Sequence, residues 1–322
     1  MNYTLRQLEV FKHVCDANSI TKASENMHLS QPAVSIQLKN FQDQFSMPLF
    51  ELVGRRLFIT DFGKEIYHAA QQILNAMDVM EQTTQRFTGK LTGKIKLSVV
   101  STGKYVMPFF LADFLKENEG VELLMDVTNK SSVVLSLEKN TVDFSLVSIL
   151  PEHLSLDYIE LMKNELFLVG GKDNELSKKV YEKDILTQIP IIYREQGSGT
   201  RQTMERFLQE NKLNVKKQLE LTSNEAVKQA VLAGMGYSIM PLIGIKNELK
   251  NGELKIIPVK GLPIVSTWYL IWLKTKQFLP SPTAFLNYVE ANKAQIIERN
   301  FAFEHSYLSQ ITTVKKAKPK KA

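Results

Sequence analysis

The sequence predicts an α/β chain with an α-rich N-terminal part, on three observations. Apolar residues recur at helical spacing through about the first 45 positions, a heptad-like run follows from Asp61, and beyond Gly93 short apolar runs of strand length alternate with amphipathic stretches. The N-terminal part reads as a winged helix-turn-helix, the run as a linker helix, and the remainder as a two-lobed α/β domain with a cleft.

Leu5, Leu8, Phe11 and Val14 define the first helix, over about residues 4–17, and Asn18-Ser19 supplies a stop and a new cap. ITKASENM makes a short second helix, with Ile20, Ala23 and Met27 on one side. His28-Leu29 then turns the chain, Ser30 suits a cap and Pro32 a first-turn position. In the third helix Val34, Leu38, Phe41 and Phe45 fall on one stripe, which leaves Gln31, Pro32, Ser35, Ile36 and Lys39 at its edge or outside. A face so short of acid is not an ordinary solvated one, and a DNA groove is its expected partner. PLFELVGRRLFIT follows as two β-prone stretches around Gly54, a hairpin wing whose Arg55 and Arg56 would reach phosphates or a minor groove.

From Asp61, Ile66, Ala70, Ile73, Met77, Met80, Thr84 and Phe87 recur in 4-3 steps, the signature of a helix paired along a narrow seam. A dimerising helix over residues 61–89 is the expectation, with Ile66, Ala70, Ile73, Met77, Met80 and Phe87 in the seam. Then IKLSVV, VELLMDV and TVDFSLVSI suit buried strands, and YVMPFFLADFLKEN and SSVVLSLEKN suit helices between them. A second series starts around residue 163 with ELFLVGG, PIIYRE, the helix RQTMERFLQEN, LELTS, the helix NEAVKQAVLAG and YSIMP. The chain returns through WYLIWLK and a final helix to complete the first unit. The expected division is a DNA-binding domain over 1–60, the linker helix over 61–89, and an effector-binding domain over 90–300. Within the last, lobe I takes about 93–162 and 266–300, and lobe II about 163–265. Residues 301–322 are expected to be a basic, disordered tail.

Composition narrows the function classes. With 322 residues, 44% of them hydrophobic and 23% charged, the chain can bury a sizeable core. Its net charge of +6 does not mark a nucleic-acid domain, because residues 1–60 hold six basic against five acidic residues while the closing KKAKPKKA alone holds five lysines. The N-terminus lacks a secretion-signal pattern and no segment has the apolar length of a membrane span, so a cytoplasmic protein is expected, with no membrane partner. Cys15, the single cysteine, rules out an intrachain disulfide. His13, His28, His68, His153 and His305 are scattered without metal-ligand spacing, so no metal is expected. GSGTRQ and GMGYSI fail the dinucleotide pattern at the third glycine, TGKY fails the phosphate-loop pattern, and Gln196 breaks a nucleophile elbow at Ser198. Neither a catalytic set nor a cofactor site is predicted. What recurs is a hydroxyl-bearing turn before a helix, at Ser101-Thr102-Gly103, at Gly197-Ser198-Gly199-Thr200 and at Thr222-Ser223-Asn224. Such turns offer free N–H groups to small anions, and Arg201 either adds a charge there or points to solvent.

LRQLEVFKHVCDANSITKASENMHLSQPAVSIQLKN and the stretch through PLF, the arginines and the T-x-x-G of Thr60–Gly63 resemble the DNA-binding region of the LysR-type transcriptional regulators. REQGSGTR and SNEAVKQAVLAGMGYSIMP are similar to their effector-cleft segments, and the likeness covers about residues 3–295. QPAVSIQLK and REQGSGTR most resemble the regulators of carbon fixation genes. The resemblance implies a winged helix-turn-helix, a coiled-coil linker helix and a two-lobed, periplasmic-binding-protein-like effector domain, in homodimers or homotetramers. It implies that Gln31, Pro32 and Ser35 open the recognition helix, with Lys39 as its basic position and Arg55 or Arg56 as the wing arginine. It also implies that Ser101, Thr102, Asn129, Ser198, Gly199 and Thr200 meet a small effector, for which hydroxyl and helix-start donors favour a carboxylate or a phosphate ester. Thr128 stands where such proteins usually have glycine, and Gly170-Gly171 where Val-Pro is commoner. The expected function is a ligand-responsive transcriptional regulator bound to double-stranded DNA, not an enzyme. A solute-binding protein would have no use for residues 1–60, and an enzyme would need the missing catalytic set.

Overall fold

The computed structural model of the chain describes residues 2–54, 56–87 and 91–302, in two compact units that meet between Lys90 and Leu91. The first unit is a helical head with a hairpin. Helix α1 (Leu5–Ala17) starts in a capping box of Thr4 and Gln7 and stops where Asn18 turns left-handed at φ 46°. Ser19 caps α2 (Ile20–Asn26), and His28, at φ 52°, reverses the chain into α3 (Gln31–Gln42), with Pro32 in its first turn. Strands β1 (Phe50–Val53) and β2 (Arg56–Ile59) pair antiparallel as the wing, and α4 (Asp61–Phe87) follows. Leu8, Phe11, Val14, Ala23, Val34, Leu38 and Phe41 close one core.

Two expectations are corrected here. The α3 stripe does not stay helical to Phe45: the helix ends at Gln42, whose side chain bonds the Met47 carbonyl and the Leu49 amide and fastens the loop. Phe45 still reaches the core, edge-on to Phe41 and Phe62. The apolar seam of α4 also divides. Ala70, 1% exposed, belongs to the head's own core, and Ile66, half-buried, packs against that core. Ile73 is exposed, Met77 half-buried and Met80 72% exposed, while the Phe87 side chain lies outside the described residues. Gly63 explains how α4 docks so closely, since a Cβ there would fall 2.2 Å from the Leu49 carbonyl oxygen. Thr60 begins the helix, its hydroxyl accepting the Gly63 amide and donating to the Pro48 carbonyl.

The second unit is α/β. In chain order it runs β3 (Thr92–Val100), a 3-10 turn at Gly103–Tyr105, α5 (Met107–Glu117), β4 (Gly120–Thr128), α6 (Lys130–Glu138), β5 (Phe144–Val147) and β6 (Leu156–Gly171). Then come α7 (Ile185–Gln188), β7 (Ile191–Arg194), α8 (Gly199–Glu210), β8 (Lys217–Leu221), α9 (Asn224–Leu232) and β9 (Ser238–Pro241). The chain finishes with α10 (Lys246–Lys250), β10 (Leu254–Ile256), β11 (Ile264–Leu273) and α11 (Pro280–Phe301). Strands β4, β3 and β5 are parallel, β5 pairs antiparallel with β11, and β11 with β6; β6 then pairs with β9 and β10, and β7 with β8.

Three cores form along β6, one on its first half and two on its second. Its first half gives Ile159, Leu161 and Met162 to a core with Phe110, Phe144, Trp268 and Phe285. Its second half alternates, so Leu166 and Leu168 face Met204 and Phe207 of α8 while Phe167 and Val169 face Val227 and Val231 of α9. A lobe boundary at residue 163 thus falls inside one continuous strand of 16 residues, not at a break between strands. Beside it β11 runs the opposite way from Ile264 to Trp268 and on, and Asn164 Nδ2 donates to Ser266 Oγ at 3.1 Å where the two strands cross between cores. Among the described residues no helix is long and apolar enough to cross a membrane, and no His/Cys/Asp/Glu group could hold a metal.

Candidate functional site

Two surfaces carry the chemistry, one in each unit. On the head, the core stripe of α3 forces its other side outward: Gln31, Pro32, Ile36 and Lys39 are exposed and Ser35 half-buried. The helix contains no acid, and its one charge is Lys39 in the last turn. Arg56 opens β2 at the wing tip, exposed; Arg55 lies outside the described residues. The helix therefore presents an amide, a hydroxyl, an ammonium and two apolar side chains on one side. Such a side can meet phosphates and base edges.

In the second unit the strand-to-helix turns of both lobes converge on one cleft of about 220 Å³, counted out to open solvent. Ser101 and Thr102 follow β3, Asn129 and Lys130 open α6, Ser148 follows β5, and Arg194, Ser198, Gly199 and Thr200 come from the β7–α8 turn. All six positions expected of an effector site line this one cleft. Thr102 and Ser198 are buried, and neither hydroxyl caps the helical turn it precedes. Asn129 differs, since its Oδ1 accepts the Ser132 amide at 3.0 Å and only its NH2 remains to donate. The third hydroxyl turn does not join them: Ser223 Oγ accepts the Ala226 amide as an ordinary cap of α9, away from the cleft lining.

The lobes touch across this cleft. Ser131 of α6 donates its amide to the Gly197 carbonyl at 3.3 Å, and Lys130 Nζ donates to Gln202 Oε1 of α8 at 2.9 Å. Gly197 is required twice, by its φ of 86° and because a Cβ would fall 2.7 Å from Ser131 Oγ. Burial holds the Lys130 amine below the ordinary lysine range; the nearby Arg206 cation pushes it the same way and Glu152 opposes. Two cations of opposite lobes thus lie near one another, Lys130 on the cleft lining and Arg206 beyond it.

Arg194, Lys130 and Ser148 are functional candidates that the sequence reading missed. Arg194 is 3% exposed at the end of β7; its Nε and Nη2 form a fork to the Glu195 carboxylate at 2.8 and 2.9 Å. Its buried Nη1 has no hydrogen-bond partner among the described residues. A buried guanidinium N–H without an acceptor costs free energy that an anion in the cleft would restore. Arg201, by contrast, neither joins the cleft nor points to solvent: it donates to Glu205 and Glu220 at 2.7 Å and to the Arg194 carbonyl at 3.1 Å, over the Tyr193 ring. The signal for Arg194 was its place at the carboxyl end of a strand that opens onto a helix-start turn, where ligand clefts of open α/β sheets form.

Residues 88–294 match the family model of the LysR substrate binding domain, and residues 5–64 that of the bacterial regulatory helix-turn-helix protein, lysR family. The chain is 35% identical over 297 residues to a RuBisCO operon transcriptional regulator of Allochromatium vinosum, covering 92% of this chain and 98% of that one. It is 33% identical over 292 residues to the HTH-type transcriptional activator CmpR of Synechocystis sp., covering 90% and 96%. The second unit superposes on the Synechocystis CcmR regulatory domain in complex with 2-PG at TM-score 0.60, 32% identity, 63% of this chain and 98% of that one. The full-length CbnR structure complexed with target DNA, at 18% identity, TM-score 0.61 and coverage of 89% and 99%, shares the fold.

Proposed function

The chain belongs to the LysR family of transcriptional regulators, and on that premise we propose that its input is a small polyanion, a phosphate joined to a carboxylate, held between the two lobes. As a family member it is a regulator with a helix-turn-helix domain and an effector-binding domain, not an enzyme. The observation that carries the ligand reading is the buried, partnerless Nη1 of Arg194 in a cleft otherwise lined with donors. Glu195 neutralises that guanidinium, so a single charge has little pull; Lys130 on the cleft lining, with Arg206 near it, adds the positive charge that a second acid group would meet. The 2-PG in the CcmR structure is the nearest chemical precedent.

The rest of the reading follows the same architecture. Residues 1–60 form the DNA-binding domain, with Gln31 and Ser35 on base edges, Lys39, Arg55 and Arg56 on phosphates; 61–89 form the linker helix and 90–300 the effector domain. Ile73, Met77, Met80 and Phe87 hold a homodimer or homotetramer, in the cytoplasm. Calorimetry on the full chain tests the ligand. 2-Phosphoglycolate should bind at least about tenfold more tightly than inorganic phosphate or glycolate, since losing one charge-assisted hydrogen-bonded group removes roughly 1.5–3 kcal/mol. Arg194→Lys, which keeps the charge but loses the fork, should weaken it about as much. Equal affinity for glycolate and 2-phosphoglycolate, or an unaffected Arg194→Lys, would sink the proposal.

A further inference from the structure

Two rows of side chains run along the outer side of α3. Gln31, Ser35 and Lys39, four residues apart, form one row, with hydrogen-bonding groups and a cation. Pro32 and Ile36, also four apart, form the other, and it is apolar. Ile36 keeps 58% of its surface exposed, beside residues whose partner is a charged polymer and on a helix with no acid. The first row accounts for phosphates and base-edge hydrogen bonds; it leaves the second without a counterpart. A B-DNA major groove offers one apolar feature for it, the 5-methyl group of thymine, which cytosine lacks. Resting on the reading of α3 as the groove-entering helix, we propose that Ile36 is a specificity-determining residue that recognises one thymine per half-site by packing on its 5-methyl group.

The row arrangement makes the assignment specific. Ile36 follows Ser35 about 100° around the helix and about 1.5 Å along it, so where the gap between the two rows faces the groove floor, Ser35 and Ile36 both reach it and meet different bases. The contact discriminates by what it loses: a cytosine there leaves the isoleucine against an exocyclic amine, which then has no acceptor.

The test uses the full-length protein and a duplex that it selects from a random-sequence pool. Each thymine is replaced singly by deoxyuridine, which removes the methyl and keeps every hydrogen-bonding group, and affinity is read by fluorescence anisotropy. At one thymine of each half-site the native protein should lose about fourfold in affinity, the worth of one buried methylene-sized group. Ile36→Ala, which removes the contact in both half-sites, should bind the thymine duplex about fifteenfold more weakly and no longer distinguish thymine from deoxyuridine at that position. Lys39→Ala should weaken both duplexes alike and retain the discrimination. If no single deoxyuridine affects the native protein, or if Ile36→Ala still discriminates, the inference is overturned while the reading of α3 stands. If Ser35→Ala and Lys39→Ala both leave affinity untouched, α3 is not the reading helix and the inference falls with it. Thermal melting of the Ile36 and Lys39 variants checks that neither exposed substitution unfolds the head.

Discussion

Arg194 and Arg201 stand seven residues apart on one strand–turn–helix unit, and their different partners decide what the cleft can bind. Arg201 is held by two acids; burial lowers its pKa, but its hydrogen bonds to Glu205 and Glu220 outweigh that and raise it, so it is a fixed cation of lobe II. Arg194 has one acid and one unused nitrogen. Nothing in the string REQGSGTR separates the two, because the choice depends on which acid β8 and α8 bring alongside. The hydroxyls of the same turn were legible, since a helix start of this composition exposes its donors whatever surrounds it. Lys130 yields a residue-scale prediction. Its pKa is depressed, so its charge, and the anion affinity that it supports, should be lost as pH rises through a range below that of an ordinary lysine. Calorimetric titration with 2-phosphoglycolate at rising pH should show that decline, and Lys130→Gln should start weaker and remain flat.

At the scale of the element, α4 shows how one periodicity can serve two interfaces. The 4-3 repeat runs unbroken from Ile66, but a repeat records only that a side is apolar, not what covers it. Its first turns are covered by the head, where Tyr67 also donates to Asp16 of α1 and accepts from Gln71 at 3.0 Å. Ala70→Lys should therefore unfold the head, at a cost of several kcal/mol for a charge buried without a partner. Met77→Lys with Met80→Lys should leave the head's melting temperature unchanged and instead reduce mass by analytical ultracentrifugation and weaken DNA binding. If Ala70→Lys merely dissociated a folded dimer, or if the double variant kept its mass, this division of α4 would be wrong. The same limit on periodicity explains α3: the stripe continues to Phe45 through a loop, because Phe45 can reach the core without being helical. Strand β6 was read as starting near residue 163 for a related reason. Residues 156–162 give their buried side chains to one core and Leu166–Val169 alternate between two others, so the burial pattern shifts midway while the backbone does not.

In the effector unit as a whole, the lobes are tied on two sides. Ser131 and Lys130 reach lobe II at the cleft, and the Tyr105 hydroxyl, four residues after Ser101, donates to Glu225 Oε2 at 3.2 Å. Burial pushes the Glu225 carboxyl up, but hydrogen bonds from Lys228 and Gln229 and the Lys228 charge outweigh that and hold it below the usual carboxylate range. The tie is therefore present at neutral pH and is lost only as pH falls through that depressed value. A ligand that draws on Ser101 and Thr102 pulls the segment that carries Tyr105. Tyr105→Phe should remove about 1 kcal/mol of lobe-to-lobe attachment, and so weaken 2-phosphoglycolate about fivefold by calorimetry without touching the cleft. An unchanged affinity would show that the second tie does not take part. The crossing strands also contain the chain's two tryptophans, both on β11. Trp268 is fully buried just past the Asn164–Ser266 crossing, its indole N–H without a hydrogen-bond partner among the described residues, and Trp272 lies edge-on to Phe144 and Phe278. Every ultraviolet-excited indole photon from this protein is thus emitted from the lobe I side of the crossing. Lobe rotation on binding should shift the emission maximum of the unlabelled protein, and Trp272→Phe should keep that shift, because Trp268 is the closer of the two to the crossing.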